Sequence, residues 1–115
     1  MHPYHHSLSS AKTFGGKWED YIHIHNWFDE SKAYLGDFRH RALRHHTLGI
    51  FEAEHLFGIL TKNSDDKHIP TRQIAEQHVT EDCGFLPTVS DWLSRIAPLP
   101  WMRAVQTKKN LVIEA

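Results

Sequence analysis

The chain has 115 residues, 13 basic and 14 acidic side chains and a formal charge of −1. That length fits one domain with one modest core, and it excludes a repeat array. A composition of 40% apolar and 23% charged residues is that of an ordinary globular protein. No run approaches the roughly 20 apolar residues of a membrane span, and the start carries no signal-peptide core. One cysteine, Cys83, excludes an internal disulfide or a multi-cysteine zinc site, and a reducing cytoplasmic setting is expected. The departure from the ordinary is 11 histidines, which titrate near neutrality and can bind metal.

Residues 1–17 mix Pro, Ser, Gly and His without apolar periodicity and predict an irregular arm. Trp18, Tyr21, Ile22 and His25 follow i, i+3, i+4, i+7 spacing, one helical face. Asn26 is a candidate N-cap for a further helix, with Asp29 and Glu30 in its first turn. The longest helical candidate runs from Asp37 to about Gly58, with Phe38, Ala42, Gly49, Ala53 and Leu56 on one stripe. Next comes a predicted hairpin, Ile59–Thr61 and His68–Pro70, around the turn residues Asn63-Ser64-Asp65-Asp66. Thr71 to Cys83 reads as a helix closed by Gly84. Another starts at Thr88, with Asp91 in place of the capping-box acid, and ends before Pro98 and Pro100. Trp101 and Met102 are expected to dock, and Leu111-Val112-Ile113 to form a short strand or a partner contact. The expected fold is mainly α: a small single-domain helical bundle (18–102) with a minor β-hairpin, an arm (1–17) and a tail (103–115).

Helical phase at 100° per residue sorts the histidines. His46 falls between Ala42, Gly49 and Ala53, inside the apolar stripe, with His45 at its edge and His40 opposite. His78 and Asp82 stack at i, i+4 within the face of Ile74, Ala75 and Val79. His25 shares the face of Trp18 and Ile22. Buried polar groups need partners, and three arrangements supply them here. A divalent metal (Zn, Fe, Ni or Mn) would be held by His25, His46, His78 and Asp82. A structural hydrogen-bond network is the second, and acid–base chemistry without metal the third. Glu52-Ala53-Glu54-His55 contains ExxH, but on the polar side, as a solvated face.

The segment 38–46, FRHRALRHH, carries Arg39, Arg41 and Arg44, which could grip phosphate oxygens. With no net basic excess, a phosphate-containing small molecule or nucleotide suits it better than duplex nucleic acid. Residues 25–50 and 74–93 resemble a family of short, uncharacterised bacterial and phage proteins. These carry similar H-x-W-F/L-D-x-S-K, RHRALRHH and EQHV-x-ED stretches, and the likeness spans about residues 2–102. It implies a bacterial or phage origin and no particular activity. Two functions are consistent with these features. One is a metal-dependent hydrolase of phosphoesterase type, with Asp82 or Glu76 handling a water proton and Arg41 or Arg44 steadying phosphate. The other is a non-catalytic phage or bacterial accessory protein that binds a protein partner or a nucleotide, with structural histidines; a homodimer fits either.

Overall fold

A computed structural model describes residues 1–106. The N-terminal stretch is not the irregular arm that its hydropathy predicts: Pro3–Phe14 is a helix, α1. Pro3 stands in the first turn, where its missing N–H costs nothing. The His2 imidazole caps the helix by accepting from the Tyr4 N–H at 3.1 Å, and Gly15 at φ 88° ends it. Periodicity misses this helix because its buried side is Pro3, His6, Ser7 and Ser10, with no long aliphatic among them.

A 3₁₀ turn, Trp18–Asp20, leads into α2, Ile22–Asp29. Asn26 therefore lies inside a helix and is no N-cap; Asp29 closes α2, and a further 3₁₀ turn spans Glu30–Ala33. The long helix expected from Asp37 to Gly58 is broken. After a 3₁₀ turn at Phe38–His40 come α3, Arg41–Arg44, and α4, Thr47–Phe57. Between them His45 leaves the helical region (φ −83°, ψ 67°) and His46 is fully extended. Gly49 is required here because the Arg44 carbonyl sits where its Cβ would be. Its role is thus a tight turn between two short helices, and not contact with a distant one.

The hairpin forms as the turn residues predict. β1, Leu60–Lys62, pairs antiparallel with β2, His68–Pro70, Thr61 opposite Ile69. The Asn63 side chain organises the turn, its Oδ1 accepting from the N–H groups of Asp65 and Lys67. α5, Thr71–Cys83, ends at left-handed Gly84. α6, Val89–Leu93, starts in a reciprocal capping box between Thr88 and Asp91. The helix expected to continue toward Pro98 stops at Leu93, and a last 3₁₀ segment covers Pro100–Gln106. Trp101 does not dock but is 71% exposed. The strand expected at Leu111–Ile113, and most of the predicted 103–115 tail, lie outside the described residues.

The apolar core is small: Tyr21, Ile24, Phe28, Ile50, Ala53, Ile74, Ala75 and Val79, drawn from α2, α4 and α5 with Tyr21 just before α2. Around it, more polar side chains are buried than apolar ones. Among the described residues no helix is long and apolar enough to cross a membrane.

Candidate metal centre

α1, α2 and α5, with the α3–α4 turn, bring His6, His25, Asp29, His45, His78 and Asp82 together in the interior. α2 contributes His25 and Asp29, one turn apart, and α5 contributes His78 and Asp82 at the same spacing, so each helix turns an imidazole and a carboxylate the same way. The break after α3 rotates His45 inward. His25, His45 and His78 are fully enclosed, and the Asp82 side chain is 2% exposed.

Four donor atoms converge. His45 Nε2 lies 3.1 Å from His78 Nε2 and 3.0 Å from Asp82 Oδ2. His78 Nε2 is 3.2 Å from the same Asp82 oxygen. Asp29 Oδ1 stands 3.3 Å from His78 Nε2 and 3.5 Å from His45 Nε2. All four lie within 4.8 Å of one another. Ligands about 2.0–2.2 Å from one tetrahedral centre would be roughly 3.3–3.6 Å apart, so this grouping has nearly the dimensions of a coordination shell.

Cations stand at the margin of the group: the Met1 ammonium lies 3.2 Å and the Arg41 guanidinium 3.9 Å from Asp82 Oδ1, the oxygen that faces away from the four converging atoms. Neither buried Asp29 oxygen makes a hydrogen bond of good geometry: Lys32 Nζ approaches one at 3.5 Å and His78 Nε2 the other at 3.3 Å. Burial pushes the Asp82 carboxyl up, but the imidazoles of His45, His6 and His78 outweigh it and hold the group well below the usual carboxylate range. Asp29 is shifted down as well, burial being outweighed by His78 and Lys32. Burial works against a proton on His78, yet Asp29 and Asp82 raise its affinity for one. These carboxylates create a field that favours positive charge where the four atoms meet.

His6 lies outside this group. Glu81 accepts from its Nδ1 at 2.7 Å, while its Nε2 faces Asp82 Oδ1 at 3.2 Å without a hydrogen bond. His25 turns Nδ1 toward His78 Nδ1 at 2.9 Å and Nε2 toward Ser10 Oγ at 2.8 Å. His6, His25 and His78 form a second, overlapping group of potential ligands.

Of the residues singled out in the sequence, His25, His78 and Asp82 meet here, with His25 behind His78. His46 does not: it caps α4, its Nδ1 accepting from the Gly49 N–H at 3.0 Å. The chain break moves the inward position to its neighbour His45. His40 is buried too, its Nδ1 3.1 Å from Ser31 Oγ. Glu76 lies away from the cluster, lining a surface hollow with Thr47, Ile50, Phe51, Arg72 and Leu86. Arg44 is occupied structurally: it donates to the Trp27 carbonyl at 2.6 Å, stacks on that indole and pairs with Glu30. Arg41 remains beside the site, donating to the Asp82 carbonyl at 3.2 Å. A cavity of about 350 Å³ lies there, lined by Arg41, Asp82, Phe85 and Trp92 among others.

Asp29 and His6 were not among the sequence candidates. A signal for Asp29 existed, because His25-x₃-Asp29 repeats the spacing of His78-x₃-Asp82. For His6 the signal was Pro3 at a helix start, with Ser7 and Ser10 following on one side.

Compared with known families, residues 1–102 match the one described as "Domain of unknown function (DUF6915)". No curated protein and no solved structure matches.

Proposed function

This chain belongs to the DUF6915 family, and we propose that it is a divalent-metal protein in which Asp29, His45, His78 and Asp82 hold the ion. The observation that carries this reading is the convergence of Asp29 Oδ1, buried without a hydrogen bond of good geometry, with two imidazole nitrogens and an Asp82 oxygen, all within 4.8 Å of one another. Leaving a carboxylate so placed costs several kcal/mol, and a bound cation removes that cost. Two nitrogen and two oxygen donors suit Zn, Fe, Ni or Mn. Cys83 is not among the donor atoms that converge.

The test is metal content and Co²⁺ or Zn²⁺ titration of protein prepared without an affinity tag. One ion per chain is expected, with a Co²⁺ spectrum of tetrahedral intensity and a lower Tm after chelation. Asp29→Asn and His45→Ala abolish tight binding, whereas His46→Ala keeps it. A chain that takes up no metal, and melts identically with and without chelator, refutes the assignment.

The cavity beside Asp82 supports a further reading, metal-assisted hydrolysis of a phosphate ester. The ion would supply Lewis acidity, and Arg41, half-buried at the cavity wall, a cationic grip on phosphate. Turnover of a phosphodiester by the Mn²⁺- or Zn²⁺-loaded chain, reduced in Arg41→Ala, is the expected result. A loaded chain without turnover leaves a metal centre without this chemistry.

A further inference from the structure

We infer that His25 sets the position of the proton on His78, as the inner end of a hydrogen-bond chain that starts at Glu81. His25 is then a positioning residue for the proposed metal centre and not a ligand. The inference rests on that centre for its functional consequence only.

Each proton in the chain has one available place. Glu81 is a carboxylate and only accepts, from Ser9 Oγ at 2.6 Å, His6 Nδ1 at 2.7 Å and Gln77 Nε2 at 3.1 Å. The same Gln77 nitrogen donates to the His6 carbonyl at 3.0 Å. Two acceptors on that side fix the amide's orientation, so Gln77 presents its carbonyl oxygen to Ser10. Ser10 has one hydroxyl proton and two acceptors for it, Gln77 Oε1 at 2.6 Å and the His6 carbonyl at 3.1 Å. Toward His25 Nε2, 2.8 Å away, it therefore offers a lone pair, and His25 must carry its proton on Nε2.

Fully enclosed, His25 has ring nitrogens that touch Ser10 and His78 and no carboxylate. As a neutral imidazole protonated on Nε2, it has a bare Nδ1. His78 Nδ1 lies 2.9 Å from that bare atom and is the donor. This leaves Nε2 of a neutral His78 bare, and it is the atom that faces Asp29, His45 and Asp82. Three helices thus cooperate: α1 provides Ser10, α2 His25, and α5 Gln77, Glu81 and His78. Without the His25 acceptor, His78 either buries an unpaired N–H or moves its proton onto the metal-facing nitrogen. Loss of such an outer partner typically weakens metal affinity 10–100-fold.

The experiment uses the full chain with ¹⁵N-labelled histidine, in long-range ¹H–¹⁵N correlation spectra recorded with and without Zn²⁺. The expected result is a proton on His78 Nδ1 in both states, a zinc-shifted Nε2 in the loaded one, and a neutral His25 protonated on Nε2. Titration should show His25→Phe binding Zn²⁺ 10–100-fold more weakly, with one ion per chain and an unchanged tetrahedral Co²⁺ spectrum. His25→Gln, whose carbonyl can accept in the same place, should recover most of the affinity. A bare Nδ1 on His78 overturns the inference, as does a Co²⁺ spectrum that changes coordination in His25→Phe, or an affinity equal to wild type. If His25→Phe does not fold, the wild-type spectra decide. A chain that takes up no Zn²⁺ refutes the metal centre, while the metal-free spectrum still reports the His78 proton, so the two failures are separable.

Discussion

At the scale of single residues, the interior imbalance should make the metal-free chain sensitive to pH on both sides of neutrality. Burial drives His25 down to about 2, with the neighbouring His78 and His6 adding to the effect. Burial also takes His45 down to about 4 against the pull of Asp82. Their unfolded forms take up protons near 6.5, while the folded forms resist. Below 6.5 the unfolded state therefore binds more protons, and stability falls as pH falls, by about 1.4 kcal/mol per pH unit for each imidazole. His78 behaves in the opposite sense. Its folded value is raised because Asp29 and Asp82 outweigh burial, so its contribution is complete below 6.5 and is lost as pH rises through that higher value. Urea denaturation in chelator should accordingly show greatest stability near pH 6.5. A profile still rising toward pH 8, or flat down to pH 5, would contradict these shifts.

At the scale of elements, what the sequence disclosed was local. The hairpin, the Gly84 helix end and the Thr88 cap each depend on residues within a few positions of one another, and each forms as read. The face of α5 carrying His78 with Asp82 also turns inward as read, whereas His25 turns inward with Tyr21, Ile24 and Phe28 and not with Trp18 and Ile22. The break between α3 and α4 is different, because apolar spacing runs on through it. The displacement from His46 to His45 depends on the Arg44 carbonyl crossing over Gly49, a contact that a helical wheel cannot contain. α1 was hidden for the complementary reason: it packs through imidazole and hydroxyl groups that a hydropathy pattern counts as solvent-facing. The crossing at Gly49 can be tested directly. Alanine is the better helix former by about 1 kcal/mol, but its methyl would occupy the position of the Arg44 carbonyl. Gly49→Ala should destabilise the chain by about 1–3 kcal/mol in urea denaturation and weaken Zn²⁺ binding by displacing His45. An unchanged or higher midpoint would show that the turn can yield.

At the scale of the whole molecule, α1 packs Ala11 and Phe14 against the core and is tied to the rest by a set of polar contacts: His6 and Ser9 to Glu81, and Ser10 to His25 and Gln77. The described interior also encloses more hydrogen-bonding side chains than oily ones. Such an interior has a calorimetric signature. Exposing apolar surface to water raises heat capacity, and exposing polar surface lowers it. Scanning calorimetry of the metal-free chain should therefore yield a heat-capacity increment on unfolding below the common 12–15 cal/mol/K per residue. With so shallow a curvature, its folding free energy would change little on chilling, and the cold would loosen it less than it loosens a domain of equal length built around leucine.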